Sequence, residues 1–228
     1  MAFLSMLSIV IPTLNDGHRL SPTLERINAF EGAKEIIVSD GGSDDTTFAI
    51  TAKAGGKFYM SPKGRGAQLA TGASSAVGGW MLFLHADTKL GPGWTGAANR
   101  FMGNPNNKFR AGYFTFALDD ASKKARNLER MVQWRCQHLS LPYGDQGLLI
   151  SRAMYDQIGG YNPIPIMEDV DIIQRIPKHR RENLHTLAIT SADRFKKDGY
   201  ILRPLRNLFC LGLFYIGVPP RIITGFYG

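Results

Sequence analysis

Residues 35–46, EIIVSDGGSDDT, run from a short apolar stretch into an aspartate, two glycines and a polar turn. Ile36, Ile37 and Val38 are β-branched and too few for an ordinary helix, so Glu35–Asp40 is expected as a buried strand. Gly41-Gly42-Ser43 then turns the chain into a helix that Ser43 or Asp44 can cap. The same alternation spreads outward. Leu7–Pro12 (LSIVIP) reads as a buried strand ended by proline. Asn15-Asp16-Gly17 is a turn, and Leu20, Leu24, Ile27 and Phe30 recur at helical spacing, with Ser21 as N-cap and Pro22 at the first helical position. Downstream, Lys57–Met60 is a strand, Ala67–Val77 a helix of small residues and Trp80–His85 (WMLFLH) a strand. Strands alternating with helices predict an α/β fold: a mostly parallel sheet flanked by helices on both faces. Ligands of such sheets bind beyond the carboxyl ends of the strands, where Thr13–Asp16, Asp40–Ser43 and His85–Thr88 all fall.

Past residue 105 the pattern changes. Gly112–Leu118 is expected as a strand and Lys123–Leu139 as a helix with Leu128, Met131, Trp134 and Cys136 on its apolar face. Leu141–Ser151 reads as a loop running into a strand. Glu168 opens a helix with Val170, Ile173 and Ile176 inward and Asp171 in solvent. Repeats and low-complexity linkers are absent, so residues 1–228 are expected as one domain, with 203–228 a basic and apolar C-terminal segment. A hydrophobic content of 44% and a charged content of 20% are those of a folded chain. Two cysteines, Cys136 and Cys210, with no CxxC spacing exclude a disulfide framework and a cysteine zinc site, and fit a reducing, cytoplasmic setting.

The net charge of +8 is unevenly placed: +7 of it lies from Arg175 onward and only +1 in residues 1–174. Such a tail suits an anionic partner. Lys178-His179-Arg180-Arg181 has no helix-turn-helix, zinc-finger or RNP pattern beside it, so no nucleic acid is expected. Met1–Leu14 is apolar but lacks a basic n-region, which favours a buried strand over a signal peptide. Asn207–Val218 (NLFCLGLFYIGV) is shorter than the roughly 20 residues needed to span a bilayer. Next to Arg203 and Arg206 it suits a peripheral contact at the inner face of a membrane, or a partner subunit in an oligomer.

Chemistry concentrates in acidic residues at strand and helix ends. Asp40 projects from the end of a strand, where it can bind a base or ribose, or simply cap the next turn. Asp87 ends WMLFLHAD; its hard oxygens suit Mg²⁺ or Mn²⁺, and His85 beside it shares the strand face if the extended backbone continues. A core histidine next to a turn aspartate is the plainer alternative. Lys63-Gly64-Arg65-Gly66 opens a helix whose N-terminus attracts anions, with Arg65 available to a diphosphate; it is neither a Walker A loop nor GxGxxG, and a plain flexible loop also fits. Glu168-Asp169 is either ordinary first-turn capping or a general base at a loop–helix junction.

In order, SIVIPTLND (8–16), EIIVSDGGSDDT (35–46), GRGAQLATGA (64–73), LFLHADT (82–88) and YGDQG…GGY…MEDVDI (143–172) resemble a family 2 glycosyltransferase with the GT-A fold. The resemblance implies a Rossmann-like nucleotide-diphospho-sugar transferase fold and inverting transfer from a nucleotide-sugar, most often a UDP-sugar, to an acceptor hydroxyl. It implies a nucleotide pocket from Pro12, Thr13, Leu14 and Asn15, with Asp40 on the base and Gly41-Gly42 admitting the nucleoside. Arg65 and Gln68 would flank the nucleotide or its phosphates. Asp87 would bind Mn²⁺ or Mg²⁺ on the diphosphate, Asp169 would act as base and Glu168 would support it. His85 replaces the usual first aspartate of DxD, as in a bacterial subgroup of small enzymes, leaving one acidic metal ligand. QxxRW is missing, which argues against a processive synthase. The resemblance also places the donor site in the near-neutral body with the basic tail outside it. A nucleotidyltransferase, or a binding module that has lost activity through His85, stands as the alternative.

Overall fold

The computed structural model describes residues 6–227. The first five residues of the apolar Met1–Leu14 stretch therefore lie outside the described residues. The chain begins with strand β1 (Leu7–Thr13), helix α1 (Gly17–Asn28), β2 (Lys34–Asp40), α2 (Thr47–Lys53), β3 (Lys57–Met60), α3 (Arg65–Ser75) and β4 (Trp80–Phe83). It continues with β5 (Thr88–Leu90), α4 (Trp94–Gly103), β6 (Ala111–Leu118), α5 (Lys123–Leu139), β7 (Leu148–Ser151) and α6 (Arg152–Gln157). The last part holds α7 (Glu168–Arg175), β8 (Arg181–Thr190), α8 (Asp193–Asp198), α9 (Leu202–Tyr215) and α10 (Pro220–Tyr227).

The strands form one sheet in the order β3-β2-β1-β4-β7-β6-β8-β5. The first four run parallel, as do β6 and β8, while β7 is antiparallel to both neighbours and β5 to β8. The chain steps from β1 through β2 to β3 on one side, then returns to place β4 on the other side of β1. That reversal makes a crevice at the carboxyl ends of β1, β2 and β4.

Two-residue alternation sorts the core. Ile9 and Ile11 of β1, with Val38 and Leu82, pack toward Leu20, Leu24 and Ile27 of α1 and Trp94 of α4. Val10, Ile37 and Met81 face the other layer, against Leu69 of α3 and Val170 and Ile173 of α7. Cys210, Leu211 and Ile223 bring α9 and α10 into that second layer. Among the described residues no helix is long and apolar enough to cross a membrane.

Several expected boundaries move for identifiable reasons. Helix α1 starts at Gly17, because the Asp45 carboxylate accepts the Gly17 N–H at 2.9 Å and the Asp16 carbonyl takes the next donors. Pro22 therefore lies inside the helix, which forgoes one intrahelical bond, and Ser21 caps nothing. Helix α2 starts at Thr47, whose N–H and hydroxyl both reach Asp45. Ser43 is committed to Asp40 instead. Strand β4 ends at Phe83 rather than His85, and His85–Thr88 closes as a turn with the Thr88 N–H on the His85 carbonyl. Helix α5 buries Leu128, Val132 and Cys136, whereas Met131 and Trp134 are 62% and 56% exposed. Asp171 is half-buried in an ion pair with Arg175 at 2.5 Å rather than free in solvent.

Candidate active site

Two loops close the carboxyl end of β1 and β2. Asp40 is buried, and its carboxylate accepts from the Gly42 and Ser43 N–H groups at 2.9 and 2.7 Å and from the Thr13 and Ser43 hydroxyls at 2.8 and 2.5 Å. Burial would raise its pKa, but these four bonds outweigh burial and hold it below the ordinary carboxylate range. They also fill the acceptor sites of a carboxylate, so a direct bond to a base requires one of them to be exchanged. In this structure Asp40 shapes the loop. Asn15, in the left-handed region at φ 54°, ties the two loops together: its N–H donates to Ser43 Oγ at 2.7 Å and its side-chain oxygen accepts from the Asp44 N–H at 3.0 Å. Pro12 and Thr13 are buried, while Leu14, Asn15, Gly41 and Gly42 reach the surface. Gln68 does not: it is 5% exposed, its amide donates to the Thr13 carbonyl, and a Cβ on Gly41 would sit 2.9 Å from its nitrogen. Gln68 braces the loop from below rather than flanking phosphates.

A second set of expected residues converges on a pocket of about 100 Å³ beside these loops: Arg65, His85, Asp87 and Asp169 all line it. The turn after β4, rather than a shared strand face, brings His85 and Asp87 together. Among the described residues neither side chain has a hydrogen-bond partner. Burial, reinforced by the Arg65 charge, pushes His85 down to about 3, so its imidazole is neutral at physiological pH. A neutral imidazole and a free carboxylate are donors that suit a divalent cation. No group of three or more His, Cys, Asp or Glu converges on one point among the described residues. The donor set therefore fits a cation completed by diphosphate oxygens and water.

Asp169 stands at the start of α7, just after Met167, which occupies the left-handed region at φ 64°. Asp169 Oδ2 accepts the Gly144 N–H at 2.9 Å. Gly144 is hemmed in: a Cβ there would lie 2.7 Å from His85 Nε2 and 3.4 Å from Asp169 Cβ. Both side chains therefore crowd the space a Gly144 side chain would need.

Glu168 is wholly buried beneath the pocket and pairs with Arg65 Nε at 2.5 Å. Burial pushes its carboxyl up to about 7 against the opposing pull of Arg65, while the Glu168 charge raises Arg65. First-turn capping does not describe Glu168; it anchors α7 to the start of α3. The glycines of the Lys63–Gly66 loop serve the same junction. A Cβ on Gly66 would meet the Asn162 and Ile164 carbonyls at 2.4 and 2.5 Å, and the Gly66 N–H bonds Ile164 at 3.2 Å. Close approach there is to the protein's own backbone.

The YGDQG motif and the tail supply further groups, to which the sequence assigns no separate roles in this pocket. Asp145 carries a buried Oδ1 without a hydrogen-bond partner among the described residues, and burial pushes its carboxyl up to about 6. Gln146 is structural, donating to the Phe114 carbonyl at 3.0 Å, and Arg135 lies 3.5 Å above the Tyr143 ring. Arg194, Arg203, Asn207, Leu211 and Tyr227 also line the pocket. The tail is therefore a wall of the site and does not lie outside it. Of these residues, the sequence singles out Arg203 and the Asn207–Val218 stretch, as a peripheral surface rather than as pocket walls, and Arg194 only as one cation of the basic excess.

A model of glycosyl transferase family 2 matches residues 8–152. Among curated proteins none matches the chain significantly. Solved structures similar to it include glucosyl-3-phosphoglycerate synthase from Mycobacterium tuberculosis with Mn²⁺, UDP and glucosyl-3-phosphoglycerate, at 16% identity and TM-score 0.62, covering 96% of this chain and 84% of that one. The same enzyme with Mg²⁺ and UDP gives 16% identity and TM-score 0.63, with 96% and 83% covered. A further mycobacterial protein gives 17% and 0.63, with 96% and 80% covered. The architecture is the GT-A fold expected from the motifs. With the family model spanning more than half of the chain, the chain belongs to glycosyl transferase family 2 and is a glycosyltransferase.

Proposed function

We propose that this enzyme transfers a sugar from a nucleotide-diphospho-sugar, with UDP the favoured nucleotide, to an acceptor hydroxyl in a single inverting, non-processive displacement. One observation carries the reading: a single pocket gathers Asp169, Asp87, His85 and Arg65. Asp169 takes the proton as the acceptor oxygen bonds the anomeric carbon, and the bond from that carbon to the diphosphate breaks with its electrons on the departing nucleotide. Asp87, with His85 as the neutral second donor, would hold Mn²⁺ or Mg²⁺. A bound cation there supplies charge neutralisation for the diphosphate as its negative charge grows. Arg65 adds a fixed positive charge on the same wall. Glu168 acts through Arg65 and through the placement of α7, rather than by touching substrate. Pro12–Asn15 and Asp40–Gly42 supply the nucleotide cleft. The neighbouring structures hold UDP with Mn²⁺ or Mg²⁺, which supports a nucleotide-sugar donor and a divalent cation here.

We read residues 1–228 as one domain whose C-terminal segment completes the site. Both cysteines are free and buried, which fits a cytoplasmic setting. The test is turnover of UDP-sugars with Mn²⁺, with the anomeric configuration of the product read by NMR. Asp169→Asn is expected to lower turnover by about 10²–10⁴-fold while UDP binding survives. Undiminished turnover in that variant, or release of pyrophosphate from a nucleoside triphosphate and a sugar phosphate, would replace this reading.

A further inference from the structure

Between α5 and α9 runs a groove of about 510 Å³, within the range of small-molecule sites. Met131, Trp134 and Leu139 form one side and Pro204 and Leu208 the other. At its inner end it opens into the catalytic pocket, since Tyr143, Asp145, Phe195, Asn207 and Leu211 line both spaces. At its outer end Met131, Trp134 and Leu208 are 62%, 56% and 63% exposed. The exposed surface continues along α9 through Ile201, Leu205, Phe209 and Ile216, recurring at helical spacing with no charge among them. A stripe of this extent marks an interaction surface rather than a scatter of surface residues.

Two features select the occupant. The first is continuity: a molecule lying in the groove has its inner end in the pocket that holds Asp169. The donor loops at Asn15 and Gly42 line neither space, so the groove belongs to the acceptor side. The second is charge. Arg130 and Arg135 flank the groove, and Asp145, the one acidic residue lining it among the described residues, stands at the inner end. A protein subunit covering α5 and α9 would cap the exposed outer end at Met131, Trp134 and Leu208, through which an acceptor chain must enter. We propose, on the basis of the transfer reading above, that the acceptor is an amphipathic lipid. Its apolar chain lies between α5 and α9 and its hydroxyl-bearing head reaches Asp169. The head oxygen bonds the anomeric carbon, its proton passes to Asp169, and UDP leaves with the electron pair of the broken carbon–oxygen bond.

Trp134 offers a direct readout, because Trp80 and Trp94 are only 7% and 3% exposed. The full chain would be titrated with terminally brominated n-alkyl phosphates of about four, eight and twelve carbons, kept below micelle formation, following quenching of Trp134; full burial sets the ceiling at about fourfold in affinity per methylene. Affinity is expected to rise at least twofold per methylene. Leu208→Asp and Met131→Asp, both at exposed positions, are expected to abolish the chain-length dependence while UDP with Mn²⁺ still binds by calorimetry. Affinity independent of chain length, or unchanged dependence in Leu208→Asp, overturns the proposal. So does quenching confined to brominated phosphatidylglycerol vesicles, which would make the face a bilayer contact, or a dimer that shields Trp134 without any chain. A wild type that fails to bind UDP with Mn²⁺ overturns the transfer reading, and the acceptor assignment with it, even where the chain series behaves as expected.

Discussion

The loops at the ends of β1 and β2 and the junction around Glu168-Asp169 serve one crevice but are built differently. At β2, Asp40 bonds residues two and three positions ahead and one residue on the adjacent strand. At α7, Glu168 pairs with Arg65 at the start of α3, and Asp169 bonds Gly144 in the turn before β7. The first region combines a tight turn at residues 40–43 with bonds between the ends of two adjacent parallel strands. The second exists only once distant segments have met. The family model ends at residue 152, so it includes Arg65 and Gly144 but stops short of their partners Glu168 and Asp169.

Substitutions can break this contrast or sharpen it. The largest effect on donor binding is expected from Asp87→Ala, which removes the acidic cation ligand: Mn²⁺-dependent UDP binding should fall by no less than the roughly 10–100-fold that second-shell losses cost, as calorimetry would show. Asp169→Asn should leave that binding intact, so similar losses of UDP affinity in both variants would erase the distinction between donor and acceptor sides. Gly144→Ala comes next. The added methyl must displace His85 or Asp169, and misplacement on this scale lowers kcat by about 10²-fold. Its thermal midpoint should move little, because the crowding falls on side chains at a pocket edge.

The tail variants are smaller and opposite in kind. Arg203 is 9% exposed and bonds Asp198 at 2.6 Å, so Arg203→Ala should lower Tm by a few degrees. Arg194→Ala should leave Tm unchanged and raise a Michaelis constant several-fold. Smallest of all is the pH effect at Glu168. With its folded pKa raised from 4.5 to about 7, the folded state binds more protons than the unfolded one across that window, so this group's contribution to stability falls as pH rises from 4.5 toward 7. Glu168→Gln should flatten that part of the stability–pH curve, measured by denaturant unfolding at several pH values. An unchanged slope would show that Arg65 keeps the carboxylate ionised throughout.

Legibility followed the range of the contacts. The strands Leu7–Thr13 and Lys34–Asp40, and helix Lys123–Leu139, are plain from periodicity because burial acts on each segment's own pattern. Asp40, Asp87 and Asp169 are findable because they end such segments. Helix starts expected at Ser21 and Ser43 fall elsewhere because Asp45 sets both: it takes the Gly17 N–H from a distant loop and the Thr47 N–H and hydroxyl two residues ahead, while Ser43 bonds Asp40. Gln68 looked available to phosphate because nothing local reveals that its amide is spent on the Thr13 carbonyl. The basic tail looked like one surface, yet Arg181, Arg203 and Arg206 turn toward carbonyls or Asp198.

By itself the sequence determined the parallel β1–β4 frame and the acidic residues at its edge, since apolar periodicity and chain ends are local properties. Only the tertiary structure decided that His85 and Asp169 flank Gly144, that Glu168 holds Arg65, and that the C-terminal helices wall the pocket and leave an apolar groove leading into it. Those outcomes depend on which side chains meet after the chain has crossed the sheet, and no spacing along the chain encodes a meeting of that kind.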